Sequence, residues 1–393
     1  MKHRQARGTA MLLSLGVIVV LTVVGSAMLL RSLSESQLGR RSAARQGAFF
    51  LAEAGVDQAL LNLRTPTDLA DDVTTSTLPT GTFQLDPPQS LGNLQWKVTS
   101  HGFSAENPSE GHTIEAVFQL SPQSVFQFSL FGDQSVNVSG HAQTDSYDSR
   151  LGPYEDDPGP EYNKSQDGDV GTNATTSGGI SVGGSIFIEG QLSVGPDVAT
   201  PESVVTGYNP AFITGDPKVV SRSNPFPMAP VTVPSGLTCS DFTVTGSTTV
   251  ALSPTGGPLG NGTYCYRDLT IQGNGTLTTT GSVTVYLTGQ MTAQGNSIVG
   301  APSDPKQMLI LMSPTSSGTL ENGTLTGSTK FYGAIYGPEA TVNITGDAEI
   351  FGSVIIKQAN VSGSAEIHYD HALTDQTQVS NLYETKLVSW REN

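Results

Sequence analysis

Thr9-Ala10-Met11-Leu12-Leu13-Ser14-Leu15-Gly16-Val17-Ile18-Val19-Val20-Leu21-Thr22-Val23-Val24-Gly25-Ser26-Ala27-Met28-Leu29-Leu30 carries no charge over its whole length. At about 1.5 Å rise per residue a helix of this length spans the roughly 30 Å hydrocarbon core of a bilayer, which predicts one transmembrane helix over 9–30. Lys2, Arg4 and Arg7, then Gly8, precede it as a short basic leader over 1–8. Positive clusters on short tails stay cytoplasmic, so the leader is expected inside and the chain after Leu30 exported. The simplest competitor is a cleaved secretory signal. Against it, the apolar run is longer than a usual signal core, and the residues after Leu30 continue the helix with no small-residue cleavage site. Ser34, Glu35, Arg40, Arg41 and Arg45 make the continuation polar, while Phe49, Ala52, Val56, Leu60 and Leu63 recur at three- and four-residue steps. The spacing predicts one helix to about residue 64, about 80 Å long, with one apolar stripe near its end.

These residues carry a resemblance. Arg7-Gly8-Thr9-Ala10-Met11-Leu12-Leu13, the apolar run, Arg31, and then Ala48-Phe49-Phe50-Leu51-Ala52-Glu53-Ala54-Gly55-Val56 resemble the N-terminal segment of PilX-type minor pilins of type IV pilus systems. The resemblance implies cleavage by a prepilin peptidase between Gly8 and Thr9, methylation of the new N-terminus, and a helix that is a membrane anchor before assembly and filament core afterwards. Other pilins would then be its partners, with the protein passing from the bacterial inner membrane to a pilus at the cell surface. One departure stands out. Major pilins usually carry a glutamate five residues into the mature chain, where this one has Leu13. A glutamate in an apolar core needs a partner, such as the amine of a neighbouring subunit. A subunit without it resembles those proposed for the filament tip.

Composition narrows the exported part. Gly is abundant at 44 residues and the charged fraction is 14 %, which suits tight β-turns better than surface helices. The net charge is −16, and −19 once Lys2, Arg4 and Arg7 are removed, so the exported surface repels nucleic acid. The only two cysteines, Cys239 and Cys265, are expected to form a disulfide in an exported chain, and no metal or cofactor is expected.

From residue 65 to 124 the pattern becomes β. Pro66, Pro79, Pro87 and Pro88 break helices, and alternation appears at 82–85, 94–100 and 112–120. A small antiparallel sheet covering the helix stripe is expected, as in pilin heads; an unrelated hairpin region is the competing reading. Beyond Phe126 there is an internal repeat: Val136-Asn137-Val138-Ser139-Gly140, Val342-Asn343-Ile344-Thr345-Gly346 and Asn360-Val361-Ser362-Gly363. Inward apolar residues with a turn at Gly suit stacked rungs, predicting a Gly-rich parallel β-solenoid over 125–372, with a β-sandwich as the competitor. Seven prolines from Pro201 to Pro234 mark a loop-rich insertion at about 200–258, and 373–393 reads as a tail. The fold class is therefore α+β, mostly β. Asp145-Ser146-Tyr147-Asp148-Ser149, Gly333-Ala334-Ile335-Tyr336-Gly337 and His368-Tyr369-Asp370 further resemble a domain found behind PilX-type anchors.

Three constellations invite chemistry. The acidic stretch from Asp145 to Asp169 offers oxygen ligands for calcium but lacks a bidentate glutamate at the right distance, so a solvated loop is expected. His368 and His371 are expected to cap the last repeat. Ser146 and Ser149 lack a nearby histidine in sequence, although His141 or His368 could fold close. No enzyme is expected. A structural minor pilin displaying a surface module for adhesion, with a glycan or a protein as its ligand, stands first. A membrane-tethered β-helix enzyme or polysaccharide receptor outside any filament stands second.

Overall fold

The structure, a computed structural model, describes residues 5–63, 74–313, 322–377, 379 and 382–392. Lys2 and Arg4 of the expected leader, and Pro66, lie outside the described residues. One helix, Gln5–Asn62, runs through the apolar stretch and past it without a break. By length and composition it is able to cross a membrane, and between Leu13 and Leu30 its large apolar side chains are bare, Leu13 at 70 % exposure. The hydroxyls of Thr22 and Ser26 donate to the carbonyls of Ile18 and Thr22, at 2.6 and 2.7 Å, so neither brings an unmet hydrogen bond into an apolar surround.

The chain divides into two compact units, Met1–Ser121 with Tyr383–Asn393, and Pro122–Leu382. In the first, the strands Thr75–Leu78, Gly81–Leu85, Gln95–Ser104 and Asn107–Gln123 pair antiparallel in that order, and Gln89–Gly92 pairs with Gln95–Ser104. Val98, Ile114, Ala116, Phe118 and Leu120 form one core with Ala52, Val56, Ala59 and Leu63 of the helix. The expected stripe is present, with Phe49 and Leu60 only partly buried at its edge. What brings the sheet close is the small residues between, Ala44, Ala48, Ala52 and Ala59, all fully or almost fully buried. The approach is tight enough that a Cβ on Gly102 would stand 2.0 Å from the Ala48 carbonyl oxygen.

The stretch read as a tail, 373–393, contains a strand. Leu382–Glu392 is a strand of this sheet, next to Asn107–Gln123. It escapes a sequence reading because its apolar residues do not alternate: Leu387 and Val388 are adjacent and both about half exposed, as an edge strand allows.

The second unit is a sheet whose described ladders are all parallel, which does not suit an antiparallel sandwich. Lys330–Ile344 pairs with Glu349–Val361, and Glu349–Val361 with Glu366–Asp370 through Ile350↔Ile367. The chain does not stack in simple order. Glu349–Val361 also pairs with Leu130–Val138, and Glu366–Asp370 with Gln143–Tyr147, the first two strands of the unit. From these the ladder continues one way through Val170–Thr172, Leu192–Val194 and Val219–Ser221. The other way it runs from Lys330–Ile344 through Met308–Met312, Val283–Leu287 and Thr263–Gly273 to Ser240–Val244. The earliest strands therefore lie in the middle of the stack. Within the expected insertion at 200–258 there are strands Val205–Thr206, Val219–Ser221, Ser240–Val244 and Thr249–Leu252, and the longest strandless part is 222–239. That segment is pinned by Arg222, whose guanidinium lies 5.1–5.8 Å from the rings of Phe128, Phe131 and Phe226 and donates to the Thr172 carbonyl at 2.7 Å. Burial lowers the Arg222 pKa to about 10.

The three repeat copies are neighbours: Val342↔Ala359↔Val136 and Ile344↔Val361↔Val138 point inward and are buried. Between them Asn343, Asn360 and Asn137 stack, the Asn137 amide donating to Asn360 Oδ1 and the Asn360 amide to Asn343 Oδ1, both at 2.9 Å. At the turn after each copy Gly363 and Gly140 have φ +85° and +84°, and a Cβ on Gly140 would meet the Gly363 carbonyl oxygen at 2.5 Å. Glycine is required there by both conformation and space.

Candidate functional site

Two of the sequence motifs, around Asp145 and around His368, are joined in space. Gln143–Tyr147 and Glu366–Asp370 run parallel with Asp145 opposite His368, although 223 residues separate them. Alternation turns the Asp145 and His368 side chains to the same side of the sheet, and both are buried, 4 % and 3 % exposed. His368 Nδ1 lies 2.6 Å from Asp145 Oδ1 and Nε2 lies 3.5 Å from Glu366 Oε2. Tyr154 donates its hydroxyl to Asp145 Oδ2 at 2.7 Å and lays its ring on the imidazole, centroids 3.9 Å apart. Phe351 covers the imidazole too, at 4.8 Å. Lys164 completes the network, 3.2 Å from Asp145 Oδ2 and 2.7 Å from Glu189 Oε1.

The charges in this cluster hold one another. Burial pulls the His368 pKa down, but hydrogen bonds to Asp145 and Glu366 outweigh it and leave it raised. Lys164 shows the same balance: burial lowers its pKa, the bonds to Glu189 and Asp145 raise it further. Glu366 is lowered by its bond to His368. Each ring nitrogen of His368 thus faces a carboxylate, and the Lys164 ammonium is shared between Asp145 and Glu189, so the cluster fastens four chain segments together.

The neighbouring strand residues extend the clasp. Asp370 Oδ1 accepts from the backbone N–H groups of Ser149 and Ala372, at 2.9 and 3.0 Å, and burial raises its pKa. Ser146 Oγ lies 2.7 Å from Ser165 Oγ and accepts from the Asp167 N–H; among the described residues it meets no histidine directly, although Ser165 Oγ lies 3.3 Å from His371 Nε2. His141 is exposed and His371 pairs with Asp167 at 3.3 Å from within the 3-10 helix His371–Asp375.

One sequence expectation changes here. The acidic stretch is not uniformly a solvated loop, because Asp145 is buried on Lys164 and His368, and Asp169 accepts the Gln191 N–H at 2.7 Å with its pKa raised by burial. Among the described residues no three His, Cys, Asp or Glu side chains are placed to hold a metal. Sequence reasoning misses Lys164, Glu189 and Tyr154. Lys164 leaves a signal: it is the only lysine or arginine between Arg150 and Lys218, set among acids.

The remaining sites lie elsewhere. Gly8 and Thr9 fall inside the helix Gln5–Asn62. Cys239 and Cys265 are joined as a disulfide, Cα atoms 4.6 Å apart, tying the start of Ser240–Val244 to the strand it pairs with.

A family model described as a domain of unknown function, DUF7305, matches residues 239–376, the run from the disulfide to the clasp. No curated protein matches the chain. Among solved structures, the competence-associated pilin ComZ from Thermus thermophilus is similar at 14 % identity, over 89 % of this chain and 97 % of that chain, with a TM-score of 0.27.

Proposed function

We propose that this chain is a structural, non-enzymatic minor pilin of a type IV pilus-like system, cut between Gly8 and Thr9 by a prepilin peptidase. The observation that carries the reading is the continuity of Gln5–Asn62: bare and apolar over its first half, clamped beneath an antiparallel sheet by small residues over its second. A disposable signal has no reason to share one rigid helix with a folded head, whereas a filament subunit needs both. In this reading the leader is cytoplasmic, the two units are exported, and the parallel ladder is a β-solenoid displayed at the cell surface for adhesion. Its partners are other pilins, engaged through the helix.

The test is the N-terminus of the protein recovered from cells with and without prepilin peptidase. Mass spectrometry is expected to find a chain starting at Thr9 in the first and at Met1 in the second. A start near residue 31, or a leader retained on protein in sheared filaments, overturns the proposal.

A further inference from the structure

Among the described residues Lys164 is the one lysine within ion-pair distance of two carboxylates, and all three side chains are shut away from water. Lys164, Asp145 and Glu189 are 17, 5 and 11 % exposed, with Nζ 3.2 Å from Asp145 Oδ2 and 2.7 Å from Glu189 Oε1. The ion pairs Lys97–Glu115, Lys330–Glu349 and Lys357–Glu339 each have a single carboxylate, 29 to 49 % exposed. The two acids on Lys164 are not equivalent. Asp145 is polarised at both oxygens, by His368 Nδ1 at 2.6 Å from Oδ1 and by the Tyr154 hydroxyl donating to Oδ2 at 2.7 Å. Glu189 has no side-chain partner but Lys164 among the described residues.

We propose that Lys164 and Asp145 condense within the folded chain to an amide between Nζ and Cγ, with Glu189 as the proton relay. The Nζ–Cγ bond forms and the Cγ–Oδ2 bond breaks. Of the three ammonium protons one stays on the amide nitrogen, and two pass by way of Glu189 to Oδ2, which leaves as water. Glu189 ends as it began, and no oxidant, reductant or co-reactant is consumed. His368 Nδ1 faces Oδ1, the oxygen that gathers negative charge in the tetrahedral intermediate, and Tyr154 faces the oxygen that departs. An ammonium and a carboxylate do not condense in bulk water. Here they are held in contact with water excluded, and the product removes one buried cation and one buried anion. The raised pKa of Lys164 keeps the free amine scarce and the reaction slow, which a bond made once per molecule tolerates. The product closes 145–164 into a covalent ring and fixes Tyr154 over the imidazole. The inference rests on the geometry of the second unit and not on the pilin reading.

The test is the mass of the full chain, purified in detergent, beside Lys164→Arg and Glu189→Gln. The unsubstituted chain is expected to be lighter by one water once the disulfide is counted, and Lys164→Arg to keep its full mass. Glu189→Gln is expected to condense about a hundredfold more slowly. Trypsin does not cut after an acylated lysine, so the unsubstituted chain is expected to release Val98–Arg150 joined to Leu151–Lys218. That branched peptide is read without relying on the folding of any variant. Full mass with free cleavage after Lys164 overturns the proposal. So does an equal loss of water from Lys164→Arg, which puts the dehydration at a cyclic imide such as Asp167-Gly168, and so does a blocked Lys164 without Val98–Arg150 attached, which puts the bond on Glu189. The tryptic result is the same whether or not the chain is cut after Gly8, so failure here is distinct from failure at the N-terminus.

Discussion

The two units solve the same problem, burying one face of a sheet, in opposite ways. In the first, an antiparallel sheet closes on a helix by close approach, with alanines and Gly102 where bulk would hold the surfaces apart. In the second, parallel strands are flanked by ladder partners that are often distant in sequence, and the copies of one repeat lie side by side. The first depends on a few points of fit that no repeat can share. The second spreads its stability along the stack and concentrates its risk where the repetition is joined or ends.

That contrast predicts where each unit breaks. The largest effect belongs to the clasp. Asp145→Ala strands His368, Lys164 and Tyr154 together and is expected to cost about 4 kcal/mol, read as an earlier urea transition in the ladder unit only. If the helix-and-sheet unit shifts equally, the units do not unfold separately and the comparison fails. Gly102→Val should do the converse at about 3 kcal/mol, because its side chain meets the Ala48 carbonyl; near-UV signal from Trp96 is the readout, that residue packing against this core.

Removing the disulfide with Cys239→Ser is expected to cost about 3 kcal/mol by the chain-entropy account, given a separation of 26 residues. Hydrogen exchange should speed up in Ser240–Val244 and leave Gln143–Tyr147 protected. Acidity sharpens the picture further. His368 and Lys164 have raised folded pKa values, so their contribution is fully present below the unfolded histidine value of about 6.5 and is lost as pH rises through the folded values. Thermal stability of the ladder unit should therefore fall from about pH 6 toward alkaline pH, and His368→Gln should flatten the histidine part of that fall. The smallest effect is Asn360→Ala, which interrupts a partly exposed amide stack at about 1 kcal/mol.

Legibility in the sequence divides along the same line. The helix is readable from Thr9 to Leu63 because a bilayer-length apolar run and a 3.6-residue stripe are local signals. The repeats at Asn137, Asn343 and Asn360 are readable as copies, and they prove to be adjacent. Their order in the stack is not, since nothing near Leu130 says that it pairs with Val354. The clasp is half visible. Asp145 and His368 stand in recognisable motifs, but their meeting depends on register across 223 residues, and the resemblance carries no contact between them. The Leu382–Glu392 strand is hidden for a plainer reason: an edge strand owes its place to backbone pairing, which leaves little trace in side-chain alternation.

The central position of the first-made strands has a consequence for biogenesis. Leu130–Val138 and Gln143–Tyr147 leave one flank open until Glu349–Val361 and Glu366–Asp370 arrive. A polypeptide interrupted anywhere in between keeps that raw edge, adhesive and accessible to proteases. The topology thus acts as a seal of completeness: only a molecule synthesised past Asp370 can bury the edge with which this unit began.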